Sequence, residues 1–248
     1  MKYNSKKKRT IMDFKLEEPP INIGSDISEK SFEMIKEEIT AYPRYHTFSK
    51  EEQAVIERLI HTTTCFEQVI DNIYFSDSVM PKLQHLLKNK AKLIVDTNMI
   101  RSGLSSFYLN TYGNEVICYV NEDEVFDLAK KNGTTRSYAA VELAIERFKN
   151  EPMVLACGNA PTFIYAAINT LIKEKVDLDN VVLLLFPVGF VNVVESKEYG
   201  KRFLEHFDAN GIILEGRYGA STMVVATLHA AYRLIKDYDT ELGKYNGK

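Results

Sequence analysis

The amino-acid sequence predicts an α/β protein, a three-layer α/β/α sandwich built on a five-stranded parallel sheet of the flavodoxin-like kind, with additional N-terminal helices. Short apolar runs alternate along the chain with longer segments of helical periodicity, which is typical of strands joined by crossover helices. Right-handed crossovers then cover both faces of the sheet with helices. The predicted strands span residues 92–95, 115–119, 153–156, 181–186 and 212–214. The helical patterns are clearest at 135–148, 161–173 and 221–235.

The beginning of the chain is predicted to be a flexible tail. Residues 1–24 are polar and include the basic run 6–9, a composition that buries too little apolar surface to become ordered. Such a run of charges is most simply a solvated terminus. Because no linker-like segment follows the tail, a single domain is expected at 25–248.

Two capping boxes predict the helices that precede the first strand. Asp26 with Glu29 resembles one box, and Ser49 with Glu52 resembles the other. The second helix ends near His61, where the negative end of the helix dipole would favour a protonated imidazole. On this pattern alone, His61 is more simply a structural histidine than a catalytic one.

Charge and cysteine content narrow the class of partner. The chain has 31 basic and 34 acidic residues and a net charge of -3, so it lacks the basic excess of a nucleic-acid binder, and a small-molecule partner is expected. Cys65, Cys118 and Cys157 have neither a disulfide nor a zinc spacing, which favours a reducing cytoplasm. The longest apolar stretch, 181–194, is interrupted by Pro187 and is too short to span a bilayer, so no membrane partner is expected.

The loops after the last three predicted strands are the expected place of ligand binding, because the loops after parallel strands lie along one edge of the sheet. Asn159 and Gly189 allow the unusual backbone angles that bring a main chain close to a ligand. Arg217, near a helix that begins at about Ser221, is a candidate anion receptor. The loops span residues 158–162, 187–190 and 216–221.

Other candidate positions lie before or between these loops. Thr135 is the predicted N-cap of a helix that carries Arg136 in its first turn, a combination that binds carboxylate or phosphate, although a solvated surface arginine fits equally well. Asp96 ends the first predicted strand, where it either positions substrate or bonds a neighbouring loop. Ser105 faces the same edge or is an ordinary loop serine. Gly113 is interpreted as a turn.

Several enzyme classes lack their machinery in this sequence. No loop has a Gly-x-Ser-x-Gly elbow, a Walker lysine loop or a Gly-x-Gly-x-x-Gly fingerprint, which argues against hydrolases, nucleotidases and classical dehydrogenases. No histidine or cysteine pair has the spacing of metal ligands, so no metal site is expected.

Taken in order, these motifs resemble the precorrin-8X methylmutase family of cobalamin biosynthesis over roughly residues 26–235. Each motif is weakly specific, whereas their consistent order is strongly specific. Thr62-Thr63 and the run 96–99 are similar to the anaerobic branch of the family, which acts on a cobalt-containing substrate. Ser105 stands where threonine is common, and Asn192 where glycine is common. The matching segments are Ser31-Phe32, Ile60-His61, 96–103, 113–118, 135–137, 158–162, 187–191, 195–197, 216–217 and Gly219.

The resemblance implies a homodimeric isomerase that moves a methyl group from carbon 11 to carbon 12 of a corrinoid. In the family one histidine assists this 1,5-sigmatropic shift by protonating or hydrogen-bonding a ring nitrogen, and it matches His61. The substrate-side residues match Ser31, Ser105 and Arg136. No protein-bound cofactor is implied, since any cobalt is carried by the substrate. A flat polycarboxylate suits an apolar loop at 187–190 beside arginines and helix N-termini.

Two other classes of function remain open at this level. A carrier or sensor could bind the same tetrapyrrole without converting it. A flavodoxin-like module for phosphate or nucleotides could use the same loops.

Overall fold

The structure, a computed structural model, describes residues 17, 19–21 and 23–245 and contains a mixed six-stranded sheet. The strand order is β1-β6-β5-β4-β2-β3, in which β1 is antiparallel to β6 and the other neighbouring pairs are parallel. The strands are β1 (Ile73–Phe75), β2 (Lys92–Val95), β3 (Glu115–Ile117), β4 (Met153–Cys157), β5 (Val181–Leu185) and β6 (Asn210–Leu214).

Helices surround this sheet. The N-terminal helices are α1 (Gly24–Ile39), α2 (Lys50–Thr63) and α3 (Phe66–Ile70), and the following ones are α4 (Val79–Lys88), α5 (Asn98–Gly103), α6 (Ser106–Tyr112), α7 (Asp123–Asn132), α8 (Arg136–Phe148), α9 (Pro161–Lys173), α10 (Val193–Phe207) and α11 (Ser221–Tyr245). Two 3-10 turns lie at Pro43–Thr47 and Leu178–Asn180. Among the described residues, no helix has the length and apolar character needed to cross a membrane.

The predicted five-stranded, all-parallel sheet is wrong in one strand. The five predicted strands are present and parallel to one another, and β3 is two residues shorter than its predicted span 115–119. The sixth strand, β1, could not be predicted because it has only three residues. It pairs with a strand far along the chain, with Ile73 opposite Leu214. The sheet is therefore mixed, with an antiparallel edge strand on a parallel core.

Two apolar cores lie on opposite faces of the sheet and confirm the layered arrangement. Alternate residues of one strand enter different cores, as Val154 and Leu155 do. The first core contains side chains of α1, α2, α4 and α11, and the second contains side chains of α8, α9 and α10. Strands β4, β5 and β6 are buried throughout, as expected where helices cover both faces.

Helix starts follow local chemistry at most predicted positions. Ser49 and Glu52 form the expected capping box of α2, and Thr135 caps α8 by accepting a hydrogen bond from the N–H of Tyr138. The predicted box at Asp26 is wrong, because α1 already begins at Gly24 and Asp26 lies inside its first turn, where a carboxylate still complements the helix dipole. Most of the predicted tail, residues 1–16, 18 and 22, lies outside the described residues.

The chain reverses its direction across the sheet between β2 and β4. Strand β2 lies between β3 and β4 in the sheet order, so this is the switch point at which doubly wound sheets form their crevice. At this point the loop after β4 packs against the backbone at the start of α11. A Cβ added to Gly158 would lie 2.5 Å from Cα and 2.8 Å from the backbone N of Ser221, the first residue of α11. Glycine is therefore required by the close approach of the two backbones.

Replacing Gly158 by alanine should lower the free energy of unfolding by about 2–3 kcal/mol, because the new methyl group overlaps backbone that cannot rotate away. Urea denaturation followed by circular dichroism measures the change. Gly24→Ala is the matched control and should stay within about 0.5 kcal/mol of the parent, since no atom lies within 4 Å of its added Cβ. Equal stability of both variants would contradict the close packing of the two segments.

Candidate active site

His61 lies in the last turn of α2, half-buried, and its ring stacks on Phe32 of α1. The two rings are nearly parallel, with an interplanar angle of 2° and centroids 4.7 Å apart. A cavity of about 360 Å³ opens beside this pair. Its lining residues are Ser31, Met34, Ile35, Glu38, Ile60, His61, Thr64 and Phe66. The structure thus brings the predicted site residues Ser31 and His61 together in one cavity.

The environment of His61 favours the neutral imidazole, contrary to the expectation from the helix dipole. Burial lowers its pKa below the ordinary 6.5, and the positive charges of Arg58 and Arg233 lower it further. The dipole acts only through partial charges at the end of the helix, whereas desolvation and two full positive charges act directly on the ring. In the free protein His61 is therefore a neutral hydrogen-bonding group at pH 7.

A second histidine, His229 of α11, lies near the same two arginines as His61, namely Arg58 and Arg233. It also forms a hydrogen bond with Ser105. The Ser105 N–H donates to Nε2 of His229 at 3.1 Å, so Nε2 is unprotonated. Burial lowers the pKa of His229, and Arg58 and Arg233 lower it further. Ser31, His61 and Ser105 therefore lie on the same side of the molecule, around two arginines that act on both imidazoles.

The Asp96 carboxylate at the end of β2 holds the loop after β4. Its oxygens accept hydrogen bonds from the N–H groups of Gly158, Asn159 and Ala160 at 2.9, 2.7 and 2.7 Å. Burial raises the pKa of Asp96, and these backbone donors partly oppose the rise. Of the two roles that the sequence left open, this side chain has the structural one. The Asn159 residue remains exposed at the sheet edge.

The loops after β5 and β6 contact each other at this edge. Gly189, with a φ of 139°, donates its N–H to the carbonyl of Arg217 at 3.2 Å. The Arg217 guanidinium lies 5.3 Å from the centroid of the Phe190 ring, which is 79% exposed. Gly189 and Arg217 therefore belong to one surface at the edge. Pro187, predicted to face a ligand, is buried instead.

Lys197 of α10, which belongs to the matched segment 195–197, is a buried cation that the sequence analysis did not assign to the site. Its Nζ donates to the carbonyl oxygens of Gly216 and Tyr218 at 2.9 and 2.8 Å, and burial lowers its pKa to about 8. Burial raises the pKa of Tyr218 and the nearby Cys65 raises it further, so the Tyr218 side chain lies close to the residues just after His61. The available signal was a lysine on the apolar face of a helix.

Thr135 and Arg136 lie on the other side of the sheet from His61. The helix that they begin, α8, packs in the second core, whereas α2 packs in the first. Thr135 Oγ1 lies 2.7 Å from Thr162 Oγ1 at the start of α9, and the exposed Arg136 guanidinium lies 4.7 Å from the Phe126 centroid. Within one chain, these two residues do not line the His61 cavity.

The basic side chains around His61 were also missed as site residues. Arg58 precedes His61 by one helical turn, and Arg233 follows His229 by one turn on α11. Each pair could have been recognised from its spacing, but their common location depends on the packing of α2 against α11. Among the described residues, no cluster of three or more histidine, cysteine or acidic residues could hold a metal ion.

Comparisons with known proteins identify relatives of this arrangement. A family model described as precorrin-8X methylmutase matches residues 26–234. The cobalt-precorrin-8 methylmutase of Salmonella typhimurium is 35% identical over 82% of this chain and 92% of its own length. The protein of the same name from Leptospira interrogans is 33% identical over 84% of this chain and 93% of its own. A crystal structure of precorrin-8X methylmutase from Thermus thermophilus superposes with a TM-score of 0.74 at 37% identity, covering 86% of this chain and 97% of that one.

The two histidines predict how stability depends on pH. Both have a pKa below 6.5 in the folded protein, so the unfolded chain binds more protons, and the free energy of unfolding should fall as the pH decreases through 6.5. The double variant His61→Gln/His229→Gln should lose less stability between about pH 7.5 and 5.5 than the parent. Urea denaturation at a series of pH values measures this. The same pH dependence in both proteins would show that neither imidazole titrates abnormally.

Proposed function

This chain belongs to the precorrin-8X methylmutase family and is an isomerase of cobalamin biosynthesis, and from this premise we propose that it moves a methyl group from carbon 11 to carbon 12 of cobalt-precorrin-8 to give cobyrinate. The observation that carries the proposal is the half-buried His61 imidazole, stacked on Phe32 at the wall of an open cavity. An intramolecular shift needs orientation and one hydrogen-bonding acid, and this cavity offers both.

His61 is the proposed acid of the reaction. Its stacking on Phe32 restricts the ring plane, so that its N–H can be aimed at a ring nitrogen of the substrate. Withdrawal of electron density from that nitrogen polarises the conjugated system while the methyl group migrates. Ser31 supports this arrangement as an acceptor, because its hydroxyl already donates to the carbonyl of Ile27 at 2.7 Å.

The remaining predicted residues are proposed to bind the rim of the substrate. Ser105 borders the basic group at His61, which consists of Arg58, His61, His229 and Arg233. The other predicted residues lie at the sheet edge, namely Arg217, Gly189 and Asn159. Exposed guanidinium groups suit the carboxylates of a corrinoid.

Arg136 and Thr135 are proposed to contact the same class of substrate from the start of α8. That helix has 13 residues, and its N-terminus adds partial positive charge to the guanidinium. Because they lie away from the His61 cavity of their own chain, they bind either a distant part of a bound substrate or one held by a second copy.

The chain is proposed to act as a cytoplasmic homodimer without a protein-bound cofactor, with cobalt carried by the substrate. Support for a dimer comes from the apolar side chains beside Gly189. Phe190 is 79% exposed and Val191 is 77% exposed, and a partner surface would remove both from water.

Replacing His61 by phenylalanine should lower kcat by about 10²–10⁴-fold, because the aromatic stacking on Phe32 is kept while the N–H donor is lost. The absorption spectrum of cobalt-precorrin-8 mixed with enzyme gives the rate, and titration with cobyrinate gives the affinity, which should stay measurable. His206→Phe, at an exposed histidine of α10, is the control and should retain full turnover. Retained activity in His61→Phe would remove His61 from the mechanism.

Replacing Arg136 by alanine should raise the dissociation constant of cobyrinate roughly tenfold and leave kcat nearly unchanged, as expected for an anchor away from the reacting carbons. Equilibrium titration and saturation kinetics separate the two effects. Arg202→Ala removes another exposed arginine that lies over a ring, 5.9 Å from the Tyr199 centroid, and should change neither value. An unchanged dissociation constant in Arg136→Ala would show that this arginine does not bind substrate.

A further inference from the structure

We propose that Arg58 and Arg233 form a carboxylate-binding subsite beside His61, which takes acid side chains of the substrate. This inference rests on the proposed function, because it identifies which groups of this chain receive the anionic part of a corrinoid polycarboxylate. It concerns two residues on different helices, α2 and α11, that share one groove.

Arg58 and His61 both contact the ring of Phe32. Arg58 lies one helical turn before His61 on α2, and its guanidinium is 5.1 Å from the centroid of the Phe32 ring. The same ring stacks against His61 at 4.7 Å. A ligand group bound by Arg58 would therefore be adjacent to the proposed acid, with the Phe32 ring as the shared contact.

Helix α11 packs against α2 and contributes Arg233 to a groove between them. A groove of about 290 Å³ is lined by Arg58, Arg233 and Phe32. Arg58 and Arg233 are close enough that the charge of Arg233 lowers the pKa of Arg58, and both charges reach His61 and His229. Two guanidinium groups thus converge on one concave surface.

The positive charges of Arg58 and Arg233 are not neutralised by ion pairs within the described part of the chain. Among the described residues, no ion pair includes Arg58 or Arg233. The acidic residue of the groove lining, Glu57, accepts a hydrogen bond from the Tyr45 hydroxyl at 2.6 Å, and Lys36 adds a further positive charge. Arg58 is half-buried and Arg233 is exposed at the groove, and a bound anion would relieve the repulsion between their like charges. Carboxylate is the anion whose planar geometry a guanidinium matches best.

Binding of carboxylates at the subsite also raises the proton affinity of the His61 imidazole. Other charged or titratable groups near it are Tyr108 of α6, whose charge acts on Arg58, Glu38 of α1, which lines the cavity of His61, and Lys36 and Glu57 of the groove. In the free protein, Arg58 and Arg233 reduce the proton affinity of the imidazole. Bound carboxylates offset that charge, so substrate binding favours the protonated ring that the methyl shift uses.

The test compares two probes with the parent protein and the variants Arg58→Met and Arg233→Met. The first probe is cobyrinic acid with free carboxylates, and the second is its methyl ester, which has the same ring without the negative charges. Each substitution should raise the dissociation constant of the acid about ten- to a hundredfold and change that of the ester little. Arg202→Met, at an exposed arginine on α10, is the control and should bind both probes like the parent.

Equal weakening for both probes would overturn the subsite and assign the arginines a structural role, and so would unchanged binding of the acid by both variants. Restoration of binding by Arg58→Lys would support a charge effect. Turnover of cobalt-precorrin-8 is measured in parallel, so that a parent protein that binds the acid without converting the substrate contradicts the proposed function and leaves the subsite supported. In Arg58→Met, the His61 pKa measured by NMR should move up towards 6.5.

Discussion

The buried carboxylate of Asp96 organises the edge of the sheet at which the loops after β2 and β4 meet. Three consecutive N–H groups of the loop after β4 point at its oxygens, and they recover part of the free energy that burial of a charge costs. With the loop held in this way, Gly158 lies against the backbone of Ser221, the first residue of α11. Helix α11 carries His229 and Arg233. The position of half of the basic group at His61 therefore depends on a contact between β2 and the loop after β4.

A second buried charge acts on the other half of that group. The Lys197 ammonium binds two carbonyl oxygens of the loop after β6, and the Tyr218 side chain of that loop lies close to Cys65, after the end of α2. Both buried ions bond mainly to backbone, which suits the immobilisation of loops because a loop has many unpaired N–H and C=O groups. Asp96 thus holds the loop after β4 and Lys197 holds the loop after β6.

The electrostatics of the site oppose the simplest interpretation of a histidine at a helix C-terminus. The neighbourhood of His61 is positive and half-buried, so the free protein holds a neutral imidazole. A polycarboxylate ligand changes that balance because it brings the opposite charge into a region that water screens weakly. In the mechanism we propose, affinity for substrate and the protonation of His61 are linked through the same two arginines. An apolar ligand of equal size would gain neither effect.

Elements whose stabilising contacts are local, or repeat with a regular period, could be predicted from the amino-acid sequence. The five parallel strands each contain a short apolar run, and the caps at Ser49 and Thr135 involve residues three positions away, so both could be predicted. The family motifs likewise identified His61 and Ser31 as candidates from their order along the chain.

Features that join distant segments of the chain depend on the three-dimensional packing and could not be predicted. The pairing of β1 with β6, the burial of Lys197, the contact between Ser105 and His229 and the convergence of Arg58 with Arg233 all depend on how helices and strands pack, which periodicity does not contain. The same reason explains the protonation of His61, because local sequence determines the helix dipole, whereas packing determines how much water and how much charge surround the ring.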